Sequence, residues 1–468
     1  MIEVTTYKDR AVMVLGLGRS GLAAAAALRE GGAAILAWDD DAEARTHALQ
    51  EGFPITDPES LDWKNVDALI PSPGIPLTHP KPHPVIAKAR AAGCEILGDV
   101  ELLARTQTEA RYVGVTGTNG KSTTTALIGH LLKAAGLRAE LGGNLGTPAL
   151  GLAPLGLEGI YVLELSSFQL DLLQSRFLDV AVLLNVAPDH LERHGGMDGY
   201  VAVKRRIFDL LRDGGGAIVG IDDPESQAIR DELAKKMAHL LPISARESLD
   251  SGVSAANGEL TERLGEIVPP VDLRRLAALP GEHNWQNAAA AWATVRFLGV
   301  PSEHAAKGLK SFAGLPHRQE TVAVVNGVPY VNDSKATNAT ATAKALASLD
   351  AIYWIVGGRA KADGIAALAP YFSRIRHAFL IGEAMDAFAE TLAGHVPATR
   401  SGDLETAVRD AHAMASAAGE KGAVVLLSPA AASYDQWKNF EERGDAFRAT
   451  VLKLPDAQAT HAGGGRVS

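Results

Sequence analysis

Residues 114–125 read GVTGTNGKSTTT, preceded by the strand-like run ARYV and followed by the helix-like run ALIGHLLKAAG. A strand, a glycine-rich turn and a helix beginning Lys121-Ser122 make a phosphate site. Backbone N–H groups and the positive end of the helix dipole receive the anion, the lysine adds charge and the hydroxyl reaches Mg²⁺. The spacing departs from G-x-x-x-x-G-K-[ST], because position 115 is valine and the glycines fall at 114, 117 and 120. Gly117, Thr118, Asn119, Gly120, Lys121, Ser122 and Thr123 are therefore the expected ATP-phosphate residues.

Around this loop the chain alternates short apolar runs with helical patterns, which reads as an α/β fold with parallel sheets. Three blocks are expected. Residues 1–99 hold AVMVLGLG, AAILAWDD and VDALIPSPGIP, a Rossmann-like N-terminal domain for a nucleotide-bearing substrate. Residues 100–314 form a central ATPase-like domain with the phosphate loop, IYVLELSS, VAVLLNVAPDH and AIVGIDD, plus a polar excursion over about 245–275. Residues 315–455 form a Rossmann-like C-terminal domain that opens on a hairpin, TVAVVNGVPYVND, whose Asn326-Gly327 suits a type I′ turn. Residues 456–468, ending GGGRVS, are expected to be disordered.

With 468 residues and 47% hydrophobic content, several cores are affordable. The formal net charge of −10 comes with no basic stripe, which argues against a nucleic-acid partner. Cys94 is the only cysteine, so an intrachain disulfide framework and a Cys-rich zinc site are excluded. The N-terminus runs straight toward a strand, and no apolar segment approaches a membrane span; a cytoplasmic protein without a membrane partner is expected.

Gly16, Gly18 and Gly21 form a G-x-G-x-x-G after the first strand, and Asp39 closes the second. This is the dinucleotide fingerprint, but the same geometry serves the diphosphate of a UDP-sugar. The turn Ser72, Pro73, Gly74 ends a third strand and is either a plain turn or a lid over that ligand.

Glu164 interrupts a continuously apolar strand, a costly place for a carboxylate unless a cation or donors meet it. Asp189 and His190 follow another strand on the side where open α/β sheets bind ligands. His190 reads either as a hydrogen-bonded structural histidine or as a cation ligand. In YVAVKRRIFDLL the apolar stripe runs through Tyr200, Val203, Ile207 and Leu211, and Lys204 lies on it. Such a lysine either snorkels to solvent or is a buried functional amine.

Taken together, TGTNGKST, ELSSFQL, NVAPDH with a lysine 14 residues after its histidine, GEHNWQNAAAA, GLPHRQE, NDSKATN and LSPAAASYDQWKNFEERG resemble, in order, the ATP-dependent Mur ligases of peptidoglycan synthesis. The resemblance runs from about residue 10 to 450 and is strongest to the branch that adds D-glutamate to UDP-N-acetylmuramoyl-L-alanine. It implies a monomer that phosphorylates a carboxylate and lets an amine displace the phosphate. Lys121 is then implied at the β- and γ-phosphates, with Ser122 and Glu164 on one Mg²⁺. His190 and a carbamylated Lys204 would hold a second Mg²⁺. Asn284 and Asn287 are implied at adenine, and Arg318 and Asp333 at the γ-phosphate and ribose. Asn144, Ser166, Gln169 and His190 would meet the muramoyl end of the acceptor, and Gly16, Arg19, Ser20, Asp39, Ser72, Pro73 and Gly74 its UDP end. Lys335, Thr337, Lys361, Ser433 and Phe440 would grip D-glutamate. One departure from the family pattern is the run Asp39-Asp40-Asp41, which offers no arginine where this branch often carries one.

An NAD-dependent dehydrogenase would use Gly16 to Gly21 yet leave the phosphate loop and NDSKATN unexplained. A regulatory nucleotide switch would not need the residues of a second cation. Within the ligases, another Mur enzyme or a folylpolyglutamate-type ligase is the alternative.

Overall fold

In the computed structural model the described residues are 1–459, apart from positions 145, 266, 267, 277 and 361–363. The chain divides into two compact units, Met1–Phe312 and Ala313–Ser468. It is a mixed α/β protein in which parallel pairing dominates.

The first unit holds two sheets. One runs β2-β1-β3-β4, all parallel, from β1 (Ala11–Leu15), β2 (Ala34–Trp38), β3 (Ala68–Pro71) and β4 (Glu95–Ile96). The other is built from β5 (Arg111–Thr116), β6 (Arg138–Gly143), β7 (Gly159–Glu164), β8 (Leu178–Leu183), β9 (Leu211–Gly220), β10 (Leu240–Ser244), β11 (Gly252–Ser254), β12 (Glu259–Arg263) and β13 (Val271–Asp272). Its order is β13-β12-β11-β10-β9-β8-β5-β7-β6, parallel except where the last two strands turn back. β5 therefore lies between β7 and β8, and the carboxyl ends of these three strands define a crevice where ligands bind in open α/β sheets. The excursion over 245–275 supplies β11 to β13, whose buried Glu262 takes hydrogen bonds from Trp292 and Arg296.

Both sheets contribute to one core. Val12, Val14 and Ile70 from the first join Tyr112, Leu163 and Leu183 from the second, and the Ile2 N–H donates to the Leu150 carbonyl at 2.9 Å. A second core lies on the other face of the larger sheet, between Val113, Val115 and the alanine-rich helix Glu282–Phe297.

The second unit carries one sheet ordered β18-β17-β16-β19-β15-β14-β20. Its strands are β14 (Glu320–Val325), β15 (Val328–Asn332), β16 (Ile352–Gly357), β17 (Ile375–Ile381), β18 (Ala398–Gly402), β19 (Val424–Leu427) and β20 (Ala457–Ala459). β14 and β15 form the expected hairpin, with Asn326 at φ 51° and Gly327 at φ 82°, the left-handed pair a type I′ turn requires.

Two expectations need correction. The start of the segment read as disordered is ordered: Ala457–Ala459 pairs antiparallel with Ala323–Val325. Residues 460–468 lie outside the described residues. The helix read through Leu211 ends at Arg205; five residues of 3₁₀ helix follow and Leu211 opens β9. The tighter turn carries Ile207 and Leu210 into the core while feeding the strand. Among the described residues no helix is long and apolar enough to cross a membrane.

Candidate active site

The phosphate loop bends where β5 ends and the helix Lys121–Ala134 begins. Gly117 has φ +149° and Gly120 φ +86°, and a Cβ on Gly120 would fall 2.2 Å from Asn287 Oδ1. Only glycine fits there. Asn185, just past β8, holds the loop. Its Oδ1 accepts the Asn119 N–H at 2.9 Å, its Nδ2 donates to the Asn119 carbonyl at 3.3 Å, and its carbonyl accepts the Thr118 N–H at 2.9 Å. The same Nδ2 donates to Gln286 Oε1 at 3.0 Å, and Gln286 Nε2 donates to Asp222 at 2.8 Å. Asn287 is buried and chained through Asn284 to the same helix start, while its Oδ1 accepts from Thr124. The two asparagines thus adjoin the loop.

Two lysines meet at one carbonyl. Lys121 Nζ donates to the Gly117 oxygen at 2.8 Å and to that of Thr118 at 2.9 Å. Lys204 Nζ donates to the same Gly117 oxygen at 2.9 Å and to Thr116 Oγ1 at 3.4 Å, and lies 4.8 Å from the Tyr200 ring centre. At 1% exposure Lys204 does not snorkel. Burial, together with the like charge of Lys121, pushes its amine well below the usual lysine range, against the pull of Asp189 and Glu164.

Glu164, at the carboxyl end of β7, is 3% exposed. Oε1 accepts Asn144 Nδ2 at 2.7 Å, whereas Oε2 is buried with no hydrogen-bond partner. A carboxylate oxygen orphaned beside a phosphate loop, with buried Ser122 in the helix's first turn, is a donor set that suits a hard divalent cation. Among the described residues no three His, Cys, Asp or Glu side chains cluster as a metal centre, so further oxygens must come from elsewhere.

His190 stands exposed at φ 50°, at the start of the short helix Leu191–His194. Its nearest carboxylate is Asp189, at 3.7 Å. Two partners of this turn were invisible in the sequence. His194 is buried, its Nε2 is 2.9 Å from Ser167 Oγ, and burial with neighbouring positive charge pushes it down to about 4. Arg193 reaches the carbonyls of Gly74 at 3.0 Å and Ile75 at 3.1 Å. Ser166 and Gln169 form a reciprocal capping box at the start of the helix Ser167–Leu170.

In the smaller sheet Gly16 has φ +88°, and the Gly21 position lies so close to the Gly16 carbonyl that any Cβ would collide with it at 1.8 Å. Ser72 Oγ donates to that carbonyl at 2.8 Å, joining the proline-rich turn to the glycine loop. Asp39 Oδ2 accepts the Leu17 N–H at 2.6 Å. From the next helix Arg45 donates to the Asp39 carbonyl at 2.6 Å and sits 4.6 Å over the Trp38 ring. Arg19 donates to the Gly146 carbonyl, and Ser20 follows it in the same helix.

In the second unit, left-handed residues bracket Arg318: His317 has φ 61° and Gln319 φ 45°. Such backbone concentrates at functional sites. Asp333 follows β15, 4% exposed, with Oδ2 accepting Ser428 Oγ at 2.7 Å and Oδ1 the Gln319 N–H at 3.2 Å. Burial raises its carboxyl to about 7. Lys335 Nζ lies 5.7 Å from the Phe440 ring centre, and Thr337 is two residues on, its N–H on the Lys335 carbonyl. Ser433 is buried in the loop after β19. Fully buried Arg443 ties these parts together, donating to Ser334 Oγ at 3.0 Å and to the Ala431 carbonyl at 3.1 Å. Lys361 lies outside the described residues.

A phosphate loop at the carboxyl ends of parallel strands, with a buried lysine and carboxylate beside it, suits a nucleoside triphosphate, and the family matches give the class, the ATP-dependent amide-forming ligases. Residues 115–295 match the Mur ligase middle domain, and residues 317–431 the Mur ligase glutamate ligase domain. The chain belongs to the Mur ligase family. It is 53% identical over 469 residues to the UDP-N-acetylmuramoylalanine--D-glutamate ligase of Phenylobacterium zucineum (strain HLK1), covering 98% of this chain and 99% of the relative. Identity to the protein of the same name from Caulobacter sp. (strain K31) is 51%, covering 99% and 100%. Among solved structures, UDP-N-acetylmuramate-alanine ligase MurC from Thermotoga maritima superposes with a TM-score of 0.57 at 18% identity, covering 94% of this chain and 98% of that one. MurF from Acinetobacter baumannii gives 0.56 at 19%, covering 86% and 96%. These two show a shared fold.

Proposed function

We propose that this ligase joins D-glutamate to UDP-N-acetylmuramoyl-L-alanine at the expense of ATP, in the cytoplasmic synthesis of peptidoglycan precursors. The observation that carries the reading is the meeting of Lys121, Lys204 and the orphaned Glu164 oxygen at the phosphate loop, in a chain whose full-length relatives bear that name. We read it as a monomer of three domains, each built on one sheet and the first two lying together in the first compact unit, acting on small-molecule substrates.

The acceptor carboxylate oxygen attacks the γ-phosphorus of ATP and ADP leaves. The neutral amine nitrogen of D-glutamate then attacks the acyl carbon, phosphate departs with the bridging oxygen, and the proton lost from nitrogen goes to the departing phosphate or to solvent. No protein nucleophile is needed, so the residues act by positioning and by meeting charge. Lys121 exchanges the Gly117 and Thr118 carbonyls for the β- and γ-phosphates. The remaining loop residues, Gly117 to Thr123, supply N–H groups, and Asn284 and Asn287 border the adenine. Arg318 takes the γ-phosphate and Asp333 the ribose.

Ser122 and Glu164 would hold one Mg²⁺, and His190 with Lys204 a second; such cations neutralise the triphosphate and its developing charge. A free lysine head would repel a cation. An amine that has given up its proton adds CO₂ with loss of a second, giving a carbamate with oxygen ligands, and the burial that lowers the proton affinity of Lys204 favours that reaction. Asn144, Ser166, Gln169 and His190 receive the muramoyl-alanine end, and Gly16, Arg19, Ser20, Asp39, Ser72, Pro73 and Gly74 the uridine diphosphate. Lys335, Thr337, Lys361, Ser433 and Phe440 hold D-glutamate.

The test is phosphate release with each substrate omitted in turn. Release should require ATP, the UDP-linked acceptor and D-glutamate together; release that persists without either of the last two would overturn the assignment.

A further inference from the structure

The short helix Leu191–His194 does more than carry His190. Arg193 Nη1 donates to the Gly74 carbonyl at 3.0 Å, and Nη2 to those of Ile75 at 3.1 Å and Pro73 at 3.5 Å, so one guanidinium spans three successive carbonyls of the turn 72–76. Its carbon also sits 4.6 Å over the Phe168 ring, and that ring faces His190 at 5.2 Å and stacks on His194 at 5.7 Å. Arg193 returns its own N–H to the His190 carbonyl at 2.9 Å. The following Gly195 packs so tightly on His79, beyond the same turn, that a Cβ would lie 2.8 Å from its ring. The planar, fixed fork of arginine suits several acceptors at once, which a lysine ammonium on a flexible stem does not. The carbonyls are neutral, and the guanidinium charge strengthens its hydrogen bonds to them.

We infer that Arg193 is a positioning residue that couples the turn 72–76, at the uridine-diphosphate end of the acceptor site, to His190 at its reacting end. The inference rests on the acceptor reading above. A ligand that settles the turn thereby settles the helix start that holds His190, and the coupling works equally in reverse.

UDP alone is the probe, since it reaches the turn but lacks the muramoyl-alanine end that meets His190. In protein labelled at the histidine rings, with His190→Gln used for assignment, UDP should shift the His190 signal of the unmodified chain. In R193A, UDP should still bind while that shift disappears; R193K should fall between. In turnover, the acceptor KM of R193A should rise at least tenfold, about 1.4 kcal/mol, with the ATP KM changed less than twofold. A purely structural residue would instead move both KM values with the melting temperature. Because lysine keeps the charge but not the fork, R193K gives the comparison with a smaller loss if R193A does not fold. An undiminished His190 shift in the variants, or an acceptor KM within twofold of the unmodified chain, overturns the coupling. Failure of the unmodified chain to bind UDP or to turn over the acceptor removes the acceptor reading, and the coupling with it.

Discussion

Replacing Asp333 by asparagine should make the second unit more stable and the enzyme worse. The carboxyl is 4% exposed, and burial lifts it from 3.8 to about 7. Between those values the folded chain holds a proton that the unfolded chain has released, so this group's contribution is full below pH 3.8, is lost as pH rises, and is gone above about 7. At 1.36 kcal/mol for each tenfold change, the full difference is about 4 kcal/mol. Asparagine keeps the shape and never ionises. Its Oδ1 can accept the Gln319 N–H, and the Ser428 hydroxyl can turn to accept from the new amide, so a part of that difference should be recovered: about 1–3 kcal/mol at pH 7.5 and near zero at pH 4. Global unfolding of a chain with two units is not a two-state measurement. Hydrogen exchange of the β15 and β19 amides, compared between D333N and the unmodified chain from pH 5 to 8 after correction for intrinsic rates, reports the local value. The gap should widen with pH while ATP-dependent turnover falls. A gap that is absent at pH 7.5, or that widens toward acid, refutes the reasoning.

Lys121→Ala should lower turnover by well over tenfold, because the charge that meets the transferring phosphoryl group is gone; a variant keeping more than a tenth of the activity, a penalty of at most about 1.4 kcal/mol, would count against that role. Gly120→Ala places a Cβ 2.2 Å from Asn287 Oδ1 at φ +86°, adding about 1–2 kcal/mol of left-handed strain, and should raise the ATP KM at least tenfold in steady-state kinetics. Lys204→Ala should be inactive and partly rescued by short carboxylic acids that occupy the vacated space, whereas Arg205→Ala, whose partners Glu232 and Asp209 lie outside the site, should be nearly silent. Full activity of Lys204→Ala without added acid excludes the carbamate. Among amino acids, kcat/KM for D-alanine should fall roughly 10⁴-fold below D-glutamate, since donors built for the second carboxylate are left unpaired; comparable turnover of L-lysine would place the chain in another branch.

What the sequence disclosed was local in the chain. The phosphate loop announces itself because strand, glycines and Lys121-Ser122 are contiguous, and Lys204 stood out because an apolar stripe surrounds it. Asn326-Gly327 likewise fixed the hairpin. What stayed hidden depends on partners far apart: Asn185 meets Asn119 across 66 positions, Arg443 meets Ser334 across 109, and Arg193 meets Gly74 across 119. An arginine near a histidine carries no sign that its acceptors lie in a turn beyond a strand of another sheet. Arg45 was overlooked for a related reason, since it reaches back from the following helix to carbonyls that any residue type would present. The early end of the helix at Arg205 reflects the demand of β9 rather than helix propensity, which tertiary packing readily overrides.

The little strand β20 guards an exposed frontier of the second sheet. Val322, Ala323 and Val325 are buried, yet without Ala457–Ala459 the outer backbone groups of β14 would face water as an unpaired, valine-rich border. Such a border templates strands from neighbouring molecules. Cutting the chain before residue 456 would therefore leave every other strand of the sheet intact in sequence while turning a self-contained sheet into one prone to clumping, and dilution rather than substrate would decide how much enzyme survives.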